Sequence, residues 1–309
     1  MNTKAPKLGP VSVITGMNRG RYPYCHSVYI EEAGVLIDPS SDRERLQKIK
    51  QDKGFRMVWL SHWHEDHFMH LDLLQDLPIW MNENDAPPLA DTEVFLDWYG
   101  IKNKNERAYW RTELKEKFHF RPRKPTRFLR DGETIDLGNL TVEVILTPGH
   151  SPGHLAFFFR EPQILFLGDY DLTPFGPWYG DRYSSIEQTI DSIKILKEIP
   201  AKIWLTSHET GVFEETAEDL FDQYLGVIQS REDKLLDFLS RPRTMKEIVG
   251  AWIVYGRKRE PKEFYEFGER TNMQKHLEKL LAQDVIAFDG ERYYRIRKQN
   301  GGNKTRRQN

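Results

Sequence analysis

Residues 61–67 read Ser-His-Trp-His-Glu-Asp-His, directly after the apolar run Phe-Arg-Met-Val-Trp-Leu of residues 55–60. A single histidine after a strand is ordinary surface. Three of them, interleaved with Asp66, are a concentrated set of the imidazole and carboxylate donors that borderline divalent cations take. In an irregular turn His62 and His64 can point the same way, leaving Asp66 and His67 to address a second ion beside the first. Trp63 and Glu65 occupy the intervening positions and are expected to pack and hydrogen-bond in support of the turn rather than to ligate.

Three more donor residues stand at the ends of predicted strands. Thr-Val-Glu-Val-Ile-Leu-Thr-Pro-Gly-His delivers His150, Gln-Ile-Leu-Phe-Leu-Gly-Asp delivers Asp169, and Ala-Lys-Ile-Trp-Leu-Thr-Ser-His delivers His208. Each follows an apolar run and a short turn, the usual way a scaffold gathers a site on loops at the carboxyl ends of its strands. Further β-rich runs bounded by Gly, Pro, Asn and Asp fill the first half, at Val11–Gly16, Tyr24–Ile30, Gly34–Ser40 and Ile79–Asn82. Residues 42–52 read as a surface helix capped by the Ser/Asp pair before it, and residues 91–127 as a helical insertion near the site. Residues 184–200 form an amphipathic helix with a Ser184/Glu187 capping pattern.

The bulk composition narrows the function classes. The 309 residues carry 45 basic and 47 acidic side chains, a formal charge of −2, which gives no global electrostatic case for nucleic acid or an anionic membrane. No apolar stretch approaches the ~18–20 residues a membrane span requires. The first residues lack an apolar signal core, so a cytoplasmic location is expected. Cys25 is the only cysteine. That excludes an intramolecular disulfide and a cysteine-rich zinc site, and Cys25 itself reads as a small buried apolar side chain.

The combined pattern H-x-H-x-D-H, a His after Thr-Pro-Gly, a Gly-Asp and a final Ser-His resembles the metallo-β-lactamase-fold hydrolases over about residues 10–215. The resemblance implies an α+β, four-layer αββα sandwich. It implies a dinuclear centre in which His62, His64 and His150 hold one divalent ion, Asp66, His67 and His208 hold a second, and Asp169 bridges them. Zinc is the first choice, and the donor set also accepts iron or manganese. His64, where the flavo-diiron branch usually carries Glu, points to hydrolase chemistry. Two close cations would generate a hydroxide at neutral pH, with Asp66 and Asp169 as the catalytic carboxylates. His154, Tyr170, Trp178 and Tyr179 are candidates for the substrate pocket, with support of a ligand as the other role open to His154; Glu209 is a candidate for support of His208, and His70 for a structural role. His26, His119 and His276 have none assigned.

From residue 213 onward the pattern turns helical, with a break expected near Ser230. A Thr-x-x-Glu box at Thr244, a helix at Thr271–Asp284 and an Asp-Gly hairpin at Val285–Ile296 follow the order of a winged helix-turn-helix. The expected organisation is therefore a catalytic domain over 1–230, a winged-helix-like domain over 231–297 and a disordered basic tail over 298–309. Such a tail module resembles the lactamase-like protein 2 group more than glyoxalase II. The short separation of Asp169 from His208 leaves no room for the inserted domain of the β-CASP nucleases.

The first functional reading is hydrolysis of a small carbonyl substrate such as a thioester, ester or lactone. A single-strand endoribonuclease is the alternative, because residues 105–130 mix Arg and Lys with aromatics. A DNA-binding regulator with a sensor domain is the third. The expected partner is a small molecule, with RNA as the alternative, no membrane, and self-association into a homodimer open through the C-terminal module.

Overall fold

The computed structural model describes residues 7–214 and 217–296; the tail expected over 298–309 lies outside them. The chain divides into two compact units between Ile228 and Gln229.

The apolar runs of the first unit form two mixed sheets. One runs β1 (Lys7–Leu8), β2 (Val11–Ile14), β3 (Ser27–Ile30), β4 (Val35–Ile37), β5 (Met57–Trp59), β6 (Ile79–Met81) and β7 (Arg127–Phe128), each beside its neighbour in sequence. Pairing is antiparallel as far as β4 and parallel beyond it. The other contains β8 (Thr134–Asp136), β9 (Thr141–Leu146), β10 (Leu155–Phe159), β11 (Ile164–Phe166), β12 (Ile203–Leu205) and β13 (Val212–Phe213), in simple reverse order, with only β11 and β12 parallel. Val11, Val28, Ile37 and Trp59 from the first sheet meet Val142, Val144, Phe157 and Phe166 from the second in one buried cluster. β3 and β4 are buried at every position, as strands covered on both faces must be.

Helix α1 (Arg43–Asp52) starts where the Asp42 carboxylate accepts the Arg45 N–H at 3.0 Å. The short α2 (Glu65–Phe68) and α3 (Ala86–Ala90) follow, and α4 (Thr92–Trp98) and α5 (Lys104–Glu116) occupy the expected insertion. Helices α6 (Ile186–Lys197) and α7 (Glu218–Phe238) cover the second sheet, with Ile193, Leu196, Phe221 and Tyr224 packing on Ala156, Leu165 and Leu167. The result is a mixed α+β fold of two facing sheets with helices.

Two local expectations change. The cap of α6 is Ser185, whose hydroxyl accepts the Gln188 N–H, because the Ser184 hydroxyl is committed to the His150 carbonyl. The break expected near Ser230 does not occur, and α7 runs through it unbroken; the boundary between the two units falls inside this helix.

The second unit contains α8 (Met245–Gly250), opened by a reciprocal Thr244/Glu247 capping box, and α9 (Lys262–Ala282). Its sheet has β14 (Arg243–Thr244) beside β16 (Arg292–Arg295), which pairs with β15 (Ile286–Phe288). Asp289 accepts two backbone N–H groups across the β15–β16 turn, and Gly290 takes a φ of 103° there. Leu235, Ile248, Met273, Leu277 and Ile286 form its core. Among the described residues no helix is long and apolar enough to cross a membrane.

Candidate metal centre

β4 and β5 are parallel neighbours, so Asp38 and Ser61, which follow them, emerge side by side. The chain beyond Ser61 turns sharply, and His64 is the cap residue before α2, with Glu65 and Asp66 in the first turn, where carboxylates suit the positive end of a helix. The second sheet supplies the rest: β9 leads through Thr147–Gly149 to His150, β11 through Gly168 to Asp169, and β12 through Ser207 to His208. Backbone bonds from Leu155 to Ser61 and from His26 to Ser207 join the two sets of strand ends.

Every residue expected from the sequence as a ligand arrives at this junction. Donor atoms of His62, His64, His150 and Asp169 lie within 4.8 Å of one another, as do those of Asp66, His67 and His208. The Asp169 carboxylate spans both groups. Its Oδ1 is 2.9 Å from His67 Nε2 and 3.3 Å from His208 Nε2, and its Oδ2 is 3.4 Å from His150 Nε2 and 3.8 Å from His62 Nε2.

The tautomers are set from outside. Ser61 Oγ donates to Asp38 Oδ2 at 2.6 Å and so accepts from His62 Nδ1 at 2.9 Å. His67 Nδ1 donates to the same Asp38 oxygen at 3.0 Å. His64 Nε2 donates to Asp181 at 2.8 Å, His150 Nδ1 to the Trp178 carbonyl at 3.1 Å, and His208 Nδ1 to the Gly20 and Tyr24 carbonyls. Each of the five imidazoles thus has one nitrogen fixed as a donor and the other turned inward with its lone pair.

These inward atoms fit a cation. His62 Nε2, His64 Nδ1 and His150 Nε2 stand 2.9, 3.0 and 3.1 Å apart, close to the ~3.3 Å edge of a tetrahedron with ~2.0–2.1 Å metal–nitrogen bonds. Three lone pairs facing one another repel unless a positive charge lies among them. His67 Nε2 and Asp169 Oδ1 are buried and 2.9 Å apart, yet neither is aligned for a hydrogen bond with anything. The charges agree. Burial drives the proton off His62 and brings the His150 pKa down to about 4. Against the same burial, Asp181 lifts His64 to about 9, and Asp169 and Asp171 lift His208 to about 10. The carboxylates require positive charge, which a divalent ion supplies in place of those protons.

Of the expected pocket residues, three lie elsewhere. His154 is buried, with Nε2 accepting the Asp169 N–H at 3.1 Å and Nδ1 donating to Thr147 Oγ1 at 2.8 Å; it fixes the Gly168–Asp169 turn. Tyr170 is buried with its hydroxyl on the Thr147 and Pro148 carbonyls, and Tyr179 packs on Ile186 and Ile228. Aromatic side chains of this size found apolar space beneath the loop. Trp178 alone keeps partial exposure, and its indole faces Asp181. Glu209 turns away from the site to pair with Arg21 at 3.0 Å.

Glu65 supports the turn, as expected, by accepting from the Tyr22 hydroxyl at 2.8 Å and the Tyr99 hydroxyl at 2.6 Å. Cys25 is fully buried. Asp38, Asp181 and Asp171, which accepts the His208 N–H at 2.9 Å, were not anticipated. Asp38 ends the run Gly-Val-Leu-Ile-Asp just as Asp169 ends its own, a signal available in the sequence.

The Pro148–Gly149–His150 turn is set tightly. Gly149 has a φ of 130°, and a Cβ there would lie 2.2 Å from the Thr189 backbone nitrogen in α6. Gly149→Ala is expected to cost about 3 kcal/mol, lowering the melting temperature by roughly 6–12 °C in a thermal scan; an unchanged transition would refute the turn geometry. A separate group, His70, Asp72 and His119, also brings donor atoms within 4.8 Å. There Arg43 bonds both Asp72 oxygens at 2.8 and 2.5 Å, so a guanidinium already fills the place of a cation.

Comparison with known proteins places this geometry. The family model of the metallo-beta-lactamase superfamily matches residues 20–208. The hydroxyacylglutathione hydrolase GloC of Haemophilus influenzae is 29% identical over 145 residues, 45% of this chain and 61% of that protein. The acyl-coenzyme A thioesterase MBLAC2 of Gallus gallus is 28% identical over 143 residues, 46% of this chain and 47% of that protein. The chain thus spans about half to three fifths of the length of these relatives. In structure, the metallo-beta-lactamase family protein TTHA1429 of Thermus thermophilus superimposes with a TM-score of 0.70 at 21% identity, covering 93% of this chain and 99% of that one.

Proposed function

Because the chain belongs to the metallo-beta-lactamase superfamily, we propose that it is a dinuclear metal-dependent hydrolase of small carbonyl substrates, with thioesters first. The observation that carries this reading is the set of five histidines, each fixed by an outer acceptor and each turning its other nitrogen toward Asp66 and Asp169. His62, His64 and His150 would hold one ion and Asp66, His67 and His208 the other, with Asp169 between them. Two divalent ions held there, zinc by preference, would supply a hydroxide at neutral pH and polarise the attacked carbonyl.

The chain's own residues do the rest. Asp38, through Ser61 and His67, keeps ring protons on the outer side, so that inward nitrogens stay free of them. Asp181 does the same for His64. Asp66 and His208, the latter 12% exposed, lie on the more open side of the centre and border the substrate's approach. Burial of the other imidazoles excludes bulk water behind the site.

The relatives named as a hydroxyacylglutathione hydrolase and an acyl-coenzyme A thioesterase support the thioester choice. Within the insertion Arg107 and Arg111 pair with Glu93 and Asp97, which makes those two guanidiniums less available to a phosphate chain; the endoribonuclease is the second reading. We also propose that the second unit is a winged-helix module used for packing or self-association. The test is turnover of acyl thioesters and of single-stranded RNA by metal-loaded protein, followed by dialysis against chelator. Thioester hydrolysis lost on dialysis and restored by zinc is the expected result. RNA cleavage without thioester turnover would reverse the assignment.

A further inference from the structure

Asp85 is a fully buried carboxylate that belongs to none of the donor groups described above. It ends the short turn Glu83–Asp85 after β6, at the start of α3, yet its side chain does not cap that helix. The base beneath it is firm. Asn82 donates from Nδ2 to the Leu129 carbonyl at 3.0 Å and accepts the Asn84 N–H at Oδ1, also at 3.0 Å. The Asn82 carbonyl takes the Asp85 N–H at 3.3 Å.

The carboxylate is spent instead on the two turns that carry the first group of histidines. Its Oδ2 accepts from the Ser151 hydroxyl at 2.5 Å and its Oδ1 from the Gly153 N–H at 2.6 Å. The Trp63 N–H is a third donor to it. Ser151 directly follows His150, and Trp63 stands between His62 and His64. The approach is close: a Cβ on Gly153 would lie 2.8 Å from both Oδ1 and the backbone nitrogen of Asp85. Burial pushes the Asp85 carboxyl up to about 7, while Ser151, Gly153, the His64 charge and Trp63 all favour its ionised form. Without it, two backbone N–H groups and a hydroxyl would be left buried with no acceptor, which folded chains avoid.

The gap between these turns decides how well one ion is held. His150 Nε2 stands 3.1 Å from His62 Nε2 and 3.0 Å from His64 Nδ1, and both distances cross from one turn to the other. A cation with ~2.0–2.1 Å bonds to nitrogen needs that spacing kept. The second group is joined differently. Asp66 and His67 lie in α2, and His208 Nδ1 is held by the Gly20 and Tyr24 carbonyls. We infer that Asp85 is a positioning residue for one ion and not the other: by binding Trp63, Ser151 and Gly153 together, it sets the distance from His62 and His64 to His150. The inference rests on the two-ion reading above. Asp181 and Ser184 also hold His64 and His150, so loss of Asp85 loosens that ion without expelling it.

The test is titration of the metal-free protein with cobalt against a competing chelator, which separates the two binding steps, with visible absorption reporting the geometry of each bound cobalt. Asp85→Ala is expected to weaken one step by about 10-fold, the low end for residues that steer ligands from outside, and to leave the other within roughly 2-fold. The weakened step should be the one that His150→Ala removes, and the absorption of that cobalt alone should change. Asp85→Asn keeps an oxygen for the Gly153 N–H and offers an amide that the Ser151 hydroxyl can accept, so it should recover most of the affinity. Melting of the metal-free variants checks folding. Should Asp85→Ala not fold, Ser151→Ala, which removes one of the three donors, should weaken the same step by about 3-fold. Equal weakening of both steps, no change in either, or Asp85→Asn as weak as Asp85→Ala overturns the inference. Two ions bound without thioester turnover sinks the substrate reading and leaves this inference standing. A single bound ion sinks the two-ion reading, and the inference then survives only if Asp85→Ala weakens that ion.

Discussion

Asp169→Ala is expected to abolish turnover, by a factor on the order of 10⁴ or more, and to reduce bound metal from two ions to one or none. The reason is that one carboxylate faces four imidazoles belonging to two separate groups. Burial would raise its pKa, but His67, His208 and His62 outweigh burial and hold it well below the carboxylate range, so it is charged at any pH of interest. Removing it leaves both groups with a missing donor and uncompensated positive charge. Asp169→Asn is the milder partner: it keeps the shape but retains one acceptor oxygen, so one group is disrupted more than the other. Metal analysis by plasma emission, with kcat on the best thioester, reads both effects. Two retained ions and undiminished turnover in Asp169→Ala would falsify the bridged centre.

A second large effect is expected from Asp38→Asn, a residue outside the ligand set. Its backbone φ is 53°, a left-handed conformation that asparagine adopts as readily as aspartate, so the change tests the side chain and not the turn. The Ser61 N–H can still be accepted at the Oδ1 position, 2.8 Å away. At the Oδ2 position, however, an amide would confront two donors, Ser61 Oγ and His67 Nδ1. The simplest relief moves the His67 proton to Nε2, where it points at Asp169 and blocks ligation. We expect metal affinity to fall by about 10- to 100-fold and kcat by more, through His67 and through the Ser61 link to His62. Competition with a chromophoric chelator measures the first. Wild-type affinity in this variant would show that the outer proton wiring is ornamental.

How much of this was legible beforehand depended on the length of the signal. The strand-ending donors were readable because an apolar run, a turn and a His or Asp recur four times, and each residue so picked reaches the same junction. The pocket residues were not. Tyr170 and Tyr179 follow Asp169 in a Gly- and Pro-rich loop, but whether an aromatic there faces solvent or fills space depends on α6 and α7, which the local sequence does not specify. Asp181 falls in the same blind spot: its contact with His64 joins residues 117 apart in sequence. The Ser184 and Ser185 exchange at the cap of α6 has a similar origin. Two adjacent serines look alike until one is needed by the His150 carbonyl.

Glu65 gives the centre a property of a different kind. The phenol of Tyr22 comes from the loop between β2 and β3, and that of Tyr99 from the end of α4, so one buried carboxylate clasps two separate segments of the chain. A hydrogen bond to a charged acceptor contributes about 1.5–3 kcal/mol, so parting both segments from Glu65 would cost roughly 3–6 kcal/mol. The turn that carries His62, His64, Asp66 and His67 is therefore anchored on two sides at once, and loosening either phenol would disturb donors of both groups.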